Sequence, residues 1–217
     1  MLGYIVISLF IYCWKMVYGG RSIVTCGSAI ELRHMDSGKY YLKSSQHKWA
    51  HGSSGQQIVT LDTIRGDLWQ VREAHNTTAC VTGAPIKCGD VIRLTHVRTS
   101  KNLHSHGVPS PLTRTNNEVT GFGSDGIGDF MDNWKLECLH RKDETKHDND
   151  GHYWNVSSFV RFLHVGTRHW LSSSVKNKFN EQNCHRCPIH GELEVSGVPT
   201  AEKSSVFKAD EGVYLRV

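Results

Sequence analysis

Apolar and polar residues alternate along several short segments of the chain, and no segment repeats apolar residues at a convincing helical spacing. Residues 30–33 (IELR) and 92–95 (IRLT) show the alternation most clearly. This period of two is typical of β-strands with one buried face. Clusters of glycine, serine, asparagine and aspartate separate the segments. The pattern therefore predicts an all-β protein with roughly twelve short strands.

The strand pattern occurs three times, with its landmarks in the same order. Each copy has a strand that ends in histidine, then a leucine after a polar turn, and finally an aromatic strand. The histidines are His34, His96 and His164. The leucines are Leu42, Leu103 and Leu171, and the aromatic residues are Trp69, Trp134 and Phe207. Such self-similarity indicates a repeat architecture in which equivalent residues do equivalent structural work.

Three four-stranded units around a pseudo-threefold axis predict a β-trefoil over residues 21–217. The repeats are predicted at approximately 23–81, 85–140 and 153–215, and the recurring leucines and aromatic residues are predicted to form the core. The histidines recur with the period of the fold, which favours a structural task, such as bonding a backbone group at a strand end. Residues 140–150 (HRKDETKHDND) contain no apolar residue and are predicted to be a solvated loop.

The first 20 residues differ from the rest of the chain. Residues 2–16 are apolar almost throughout and precede small residues, Gly19 and Gly20. This pattern predicts a secretory signal peptide over residues 1–20, cleaved near the glycines. The rest of the chain contains no apolar run of the length needed to span a bilayer, so no membrane association is expected after cleavage.

Six of the seven cysteines lie beyond the predicted signal, and an even number in a secreted chain suggests disulfides. The first and last strands of a trefoil repeat lie near each other. We therefore predict the pairs Cys26–Cys80 and Cys88–Cys138, against the alternative that these residues stay buried thiols.

The pair Cys184-x-x-Cys187 is predicted to be a structural disulfide within a loop. Thioredoxin-like redox chemistry would need this motif at a helix N-terminus in a βαβ unit, which the chain lacks. A zinc site with His190, or a metal bound by His104 and His106, is the weaker alternative, because a chain with 14 histidines produces such spacings by chance.

The remaining composition supports a secreted, non-catalytic protein. Asn76 and Asn155 begin glycosylation sequons. The net charge of +4 is too small to indicate a nucleic-acid partner. No nucleophile-elbow or phosphate-binding motif occurs, so we expect no catalytic residue, metal or cofactor. The Gly- and Asp-rich residues 123–129 lack the EF-hand spacing and are predicted to form a plain turn.

The repeats resemble the MIR motif of protein O-mannosyltransferases and of inositol-trisphosphate and ryanodine receptors. The match rests on Cys88-Gly89, residues 92–96 (IRLTH), residues 103–106 (LHSH) and Trp134. A closer resemblance, to the stromal cell-derived factor 2 family, runs from residue 23 to about 215. It is carried by residues 24–28 (VTCGS), 53–57 (SSGQQ), 85–89 (PIKCG), 102–106 (NLHSH) and 128–134 (GDFMDNW).

This resemblance implies a lumenal protein of the endoplasmic reticulum that takes part in protein quality control. Family members associate with a lumenal J-domain co-chaperone and the lumenal Hsp70, and help to keep misfolded clients soluble. The chain ends in residues 213–217 (VYLRV) instead of a His-Asp-Glu-Leu-type tail, so retention by a partner and secretion are both open.

Two other functions are compatible with a trefoil, because the fold hosts many. One is a secreted carbohydrate-binding module, although Asp67 and Asp132 stand where a Gln-x-Trp lectin signature would place glutamine. The other is a regulatory partner of protein O-mannosyltransferases, which carry MIR domains themselves.

Overall fold

The computed structural model describes residues 23–50, 52–140, 143–147, 153–156 and 158–215, without the side chains of residues 140 and 143–147. The predicted signal peptide lies outside these residues. The described part is all-β, with thirteen strands and two short 3₁₀ turns. The strands are β1 (Ala29–His34), β2 (Tyr40–Lys48), β3 (Gln57–Asp62), β4 (Trp69–Glu73), β5 (Val91–His96), β6 (Lys101–Pro109), β7 (Asn117–Phe122), β8 (Trp134–His140), β9 (Asp143–His147), β10 (Phe159–His164), β11 (Trp170–Lys178), β12 (Leu193–Val198) and β13 (Phe207–Val213). None of the described helices is long and apolar enough to cross a membrane.

Six strands form a closed ring of antiparallel pairs. The ring runs β1–β4–β5–β8–β10–β13 and returns to β1. Closure leaves no open sheet edge among these strands, which suits a small all-β domain.

Three hairpins cap one end of this barrel. They are β2–β3, β6–β7 and β11–β12. Their second strands also pair with one another, so that β3, β7 and β12 meet around a common axis. A six-stranded barrel with three such hairpins is a β-trefoil-like arrangement.

The polar segment 140–150 is not simply a loop. Residues 143–147 form β9, which pairs antiparallel with β8. β8 and β9 are antiparallel neighbours, which need only a short connection. The sequence prediction depended on alternating apolar residues, and β9 contains none. The prediction of a solvated loop was wrong for these five residues and for His140, which ends β8.

One apolar core fills the barrel, and the recurring leucines and aromatic residues lie at its centre. All six are fully buried: Leu42, Leu103, Leu171, Trp69, Trp134 and Phe207. The two indoles also satisfy their polar group. Trp69 Nε1 donates to the Leu42 carbonyl at 3.0 Å, and Trp134 Nε1 donates to the Leu103 carbonyl at 2.9 Å. Each tryptophan is thereby tied to the leucine of its own repeat.

The recurring histidines join neighbouring repeats. The ring of His164 packs on Trp134, that of His96 on Trp69 and that of His34 on Phe207, with centroids 4.7, 5.0 and 5.1 Å apart. Each histidine therefore contacts the aromatic residue of the preceding repeat around the ring. The structural role predicted for these histidines is confirmed.

We call this packing of a histidine on the aromatic residue of the preceding repeat, with the bonds of its ring nitrogens, the histidine clasp. His164 shows both kinds of contact. Its Nδ1 accepts from the Thr167 backbone N–H at 3.0 Å, which places the ring proton on Nε2. Nε2 then donates to the Met131 carbonyl at 2.7 Å, in the 3₁₀ turn Phe130–Asp132. His34 bonds the Ser204 carbonyl at 2.8 Å, in the second 3₁₀ turn, Lys203–Ser205. His96 differs, since its Nε2 lies 3.4 Å from the Asp67 carboxylate.

Because the histidine clasp is buried, we expect the folded protein to lose stability in acid. Burial lowers the pKa of His164 to about 4, although the bond to Met131 opposes the shift. Between pH 6.5 and 4 the unfolded chain binds a proton that the folded chain rejects. Stability should therefore fall as the pH drops through this window, by about 3 kcal/mol from His164 alone.

The measurement is chemical denaturation at several pH values between 7 and 4, for the wild type and for His164→Gln. We expect the variant to be less stable at pH 7 but to lose less stability on acidification. Equal slopes in both proteins would contradict a role for His164. Burial lowers the pKa of His34 as well, so some acid sensitivity should persist in the variant.

The six cysteines within the described residues form three disulfides, Cys26–Cys80, Cys88–Cys138 and Cys184–Cys187. The first two each close one repeat, and all of their cysteines except Cys80 are buried. The third joins residues three positions apart and lies in the loop between β11 and β12.

Candidate binding site

A groove of about 510 Å³ lies between the hairpins of the first two repeats. Its walls come from β3, from the ends of β2, β6 and β7, and from the turn after β7. Lys48 and Lys101 supply its cationic side chains, and Phe122 and Ile127 supply its apolar ones. The groove can therefore accept a partly apolar ligand that carries an acidic or hydrogen-bonding group.

Two glycines shape the groove. A Cβ on Gly121 would lie 3.2 Å from both Gln57 Nε2 and Lys101 Cβ. Gly123 has a φ of +86°, and a Cβ there would lie 2.1 Å from the Ile127 carbonyl oxygen. Only glycine tolerates that conformation and that approach, so the turn at residues 123–128 depends on it.

Two large apolar side chains project from the segment that follows β7. Ile127 is 75% exposed and Phe130 is 61% exposed, and Ile127 also lines the groove. Single exposed apolar residues are common, but two on one short segment beside a groove are a candidate contact surface. We call Ile127, Phe130 and the groove the second-repeat face.

A buried polar network holds this segment in place. The Asp132 carboxylate accepts from Asn102 Nδ2 at 3.0 Å and from the Asp129 backbone N–H at 2.9 Å. The same carboxylate bonds His104 Nδ1 at 2.8 Å. Asp132, Asn102 and His104 are all buried. Asn102 Nδ2 also donates to the Gly126 carbonyl at 3.2 Å, so the network joins the segment that carries Ile127 and Phe130 to β6.

The same cluster contains three groups of metal-ligating type. Donor atoms of His104, Asp129 and Asp132 lie within 4.8 Å of one another. Each already has a structural partner, however. Asp132 accepts the bonds described above, and Asp129 accepts from the Met131 backbone N–H at 2.8 Å as the cap of the 3₁₀ turn. These hydrogen bonds within the fold are sufficient to explain why the three side chains lie close together.

The other metal-binding alternatives also fail to converge. His104 and His106 bond different carboxylates, Asp132 and Glu118 respectively. The sulfurs of Cys184 and Cys187 are joined to each other, so neither is a free thiolate for zinc. Residues 123–129 form a tight turn, closed by bonds between Ser124 and Ile127.

The two acidic residues at the lectin-signature positions serve the fold. Asp67 accepts from the Ser44 backbone N–H at 3.2 Å and pairs with Arg98 at 3.0 Å. Burial raises the pKa of Asp67, but the bonds and charges of His96 and Arg98 outweigh it and hold that pKa below its ordinary value. Asp132 belongs to the buried network. Neither carboxylate is free to bind a sugar.

The two sequons are placed differently. Asn76 is exposed on a turn, at a φ of 60°. Asn155 is half-buried and bridges to Ile23, and the serine that completes its sequon lies outside the described residues. Of the two, Asn76 is the more accessible to a glycosyltransferase.

Sequence reasoning missed most of the second-repeat face. The sequence predicts a plain turn over residues 123–129, and it assigns no contact role to Phe130. The available signal was a solitary apolar residue, Ile127, within a glycine-rich turn.

Comparison with known proteins defines the class of protein. A family model for the MIR domain matches residues 65–187. The chain is 38% identical over 200 residues to human stromal cell-derived factor 2-like protein 1, covering 91% of this chain and 80% of that one. The crystal structure of the SDF2-like protein from Arabidopsis thaliana superposes with a TM-score of 0.75 and 34% identity, covering 90% of this chain and 98% of that one.

A weaker relationship extends to a larger enzyme. Drosophila melanogaster protein O-mannosyl-transferase 2 is 35% identical over 159 residues, which is 70% of this chain but only 20% of that protein. The likeness therefore covers one part of the transferase.

The barrel, its three hairpins and the MIR match define a MIR-domain protein. Within that class, this chain belongs to the stromal cell-derived factor 2 family, as the sequence motifs predicted.

Proposed function

We propose that this protein is a non-catalytic, protein-binding accessory of quality control in the endoplasmic reticulum. It acts there on misfolded clients together with a lumenal J-domain co-chaperone and Hsp70. Family membership supports the role, and the second-repeat face is the observation on this chain that carries it. An unfolded client offers apolar side chains and backbone polar groups together, and the face offers both kinds of contact.

The chemistry of the groove favours an extended client segment as its occupant. Ile127 and Phe130 can each bury an apolar client side chain. The Gln57 amide and the ammonium groups of Lys48 and Lys101 can bond backbone carbonyls or acidic side chains. This mixture would select for unfolded polypeptide in general and not for one sequence.

Three features support a lumenal location. Three disulfides are at home in an oxidising compartment. Asn76 begins an exposed glycosylation sequon, and residues 1–20 have the composition of a signal peptide.

Single substitutions on the second-repeat face test the proposal. We expect Phe130→Ala and Ile127→Ala each to weaken client binding by roughly tenfold, because each removes an apolar side chain that binding would bury. The measurement is the binding of a fluorescent unfolded client by the purified protein, together with recovery of the J-domain protein and Hsp70 from a lumenal extract.

Ile64→Ala is the matched control. Ile64 is 66% exposed but lies in the loop between β3 and β4, outside both the groove lining and the segment that carries Ile127 and Phe130, so this change should leave binding unaltered. Equal effects of all three substitutions, or none, would remove the second-repeat face from the proposal. Recovery of neither chaperone by the wild type, with the protein accumulating in the medium, would overturn the quality-control role.

A second function has one specific observation in its favour. The match to protein O-mannosyl-transferase 2 is compatible with a regulatory association with that class of membrane enzyme. Co-purification of an O-mannosyltransferase from detergent-solubilised membranes would support this role, and its absence there would leave the quality-control role as the better one.

A further inference from the structure

We propose that Cys184 and Cys187 form a thiol–disulfide exchange site for cysteine-containing client polypeptides. The proposal extends the function above in one respect: it uses the proposed client class, an unfolded chain with free thiols. The chemistry itself rests on the described residues around this disulfide.

The accessibility of this disulfide sets it apart. Cys184 and Cys187 are both half-buried, with exposed residues on either side. The pair Cys88–Cys138 has both cysteines buried, and Cys26–Cys80 has one of them buried. Exchange requires a thiolate to reach a sulfur atom, and the loop disulfide is the one of the three in which neither cysteine is buried.

Loop length makes the same disulfide the most easily reduced of the three. The residues that it joins are 3 apart in sequence, against 54 and 50 for the other two. On the chain-entropy argument, a bond that closes so short a loop gains little from folding, so folding protects it little from reduction.

The loop has internal support that does not involve the sulfurs. Asn180 Oδ1 accepts from the backbone N–H of Gln182 at 2.9 Å, and Asn183 Nδ2 donates to the Lys178 carbonyl at 2.9 Å. The Cys184 backbone N–H bonds the Asn180 carbonyl at 2.8 Å. The Cys187 backbone N–H also bonds the Cys184 carbonyl at 3.2 Å. Since none of these bonds involves a sulfur, we expect the two cysteines to stay close together after reduction.

A small apolar pocket adjoins the sulfurs. It measures about 240 Å³ and is lined by Cys184 and Cys187 with Trp49, Ile58 and Ile189, among others. Phe179 supports it from below, with its ring 5.7 Å from that of Trp49. The pocket has the size and chemistry for one apolar side chain of a client, next to a client cysteine.

Charge around the site favours a thiolate. Lys48 lines the pocket, and Arg186 lies between the two cysteines. Glu181 offsets part of this charge, since its carboxylate accepts from the Arg186 backbone N–H and contacts His185. Positive charge stabilises both an attacking thiolate and a leaving one. Lys48 also lines the groove of the second-repeat face, so the two sites adjoin.

The exchange balances without a cofactor. A client thiolate attacks one sulfur of the disulfide, and the other sulfur leaves as a thiolate and takes up a proton. A second client thiolate then attacks the client sulfur of the mixed disulfide and releases the second cysteine as a thiol. The client gains a disulfide, and two electrons and two protons pass to Cys184 and Cys187.

The first test locates the reducible disulfide in the wild-type protein. The purified protein is equilibrated in graded mixtures of reduced and oxidised glutathione, free thiols are alkylated, and the modified cysteines are identified by mass spectrometry. We expect Cys184 and Cys187 to be modified together, at a glutathione ratio at least tenfold less reducing than the ratio that opens Cys88–Cys138. Simultaneous opening of these disulfides would overturn the proposal.

The second test measures exchange directly. The probe is a reduced peptide with two cysteines and an adjacent leucine, and its control carries glycine in place of leucine. We expect wild-type protein to oxidise the leucine peptide at least tenfold faster than Cys184→Ser/Cys187→Ser does, and faster than it oxidises the glycine peptide. Equal rates for wild type and the double variant would sink the idea.

Exchange and client holding can fail separately. The double variant keeps the second-repeat face, so it should still bind unfolded client and recover the chaperones. Loss of exchange with retained binding supports the exchange site. An exchange-active wild type that recovers no chaperone would support the exchange site and overturn only the quality-control role.

Discussion

Replacement of Trp134 by alanine should lower the free energy of unfolding by about 4–5 kcal/mol, the largest loss expected from a single side chain here. The indole is fully buried in the barrel core. Its removal opens a cavity, frees the Leu103 carbonyl and takes away the surface on which His164 packs. Urea denaturation measures the loss directly, and the thermal midpoint should fall by about 10–15 °C.

The third repeat supplies the matched control for this prediction. It carries Phe207 at the position equivalent to Trp134 and has no ring N–H there. Trp134→Phe should therefore keep most of the packing and lose chiefly the bond to Leu103, at a cost of about 1–2 kcal/mol. If phenylalanine and alanine cost the same, packing on His164 is not what the indole contributes.

Removal of the Cys88–Cys138 disulfide by a double serine substitution should cost about 4 kcal/mol. The bond joins residues 50 apart, and the chain-entropy model assigns a stabilisation of this size to such a loop. Burial of both cysteines adds to the cost, because two hydroxyl groups would replace two sulfurs in the core. Denaturation under non-reducing conditions gives the measurement.

Cys184→Ser/Cys187→Ser is the appropriate comparison. This bond closes a loop of a few residues at the surface, so the same model assigns it about 2 kcal/mol. The order of the two losses is the sharper prediction. A larger loss from the loop pair would mean that loop length does not govern the stability contributed by these disulfides.

Much of the fold could be predicted from positions that recur in each repeat. Period-two segments located the strands, and the leucine and aromatic landmarks located the core because equivalent positions in a repeat meet the same surroundings. The cysteine spacing likewise predicted the two disulfides that each close one repeat. The first and last strands of a repeat are neighbours in the barrel, so Cys26 meets Cys80.

Alternation was less informative about the polar positions. Glu31 and Arg93 alternate with apolar residues, which predicts solvent exposure, yet both are buried. Glu31 accepts from Arg65 at 2.6 Å, and Arg93 donates to the Gly126 carbonyl at 2.9 Å. Loops cover the outer side of these strands, and a strand pattern carries no information about loops that arrive from elsewhere in the chain.

The candidate sites depended on contacts between repeats. The pocket beside Cys184 and Cys187 needs Trp49 from the first repeat and Ile189 from the third. These residues meet only because the three hairpins pair around one axis. The groove likewise needs the first and second repeats together, so no local motif could announce it.

The barrel is closed by pairing between its first and last strands, so it cannot close until the chain is almost fully synthesised. Strand β1 pairs with β13, and Ala29 lies opposite Val213, 184 positions later. At the usual rates of translation, about 5–20 residues per second, β1 waits roughly 10–40 s for its partner to be made. Throughout that delay, the edge of β1 that later pairs with β13 is unpaired and the core position of Phe207 is unfilled. Both can then contact other nascent chains. A protein proposed to hold misfolded clients would therefore itself depend on protection until its last strand arrives.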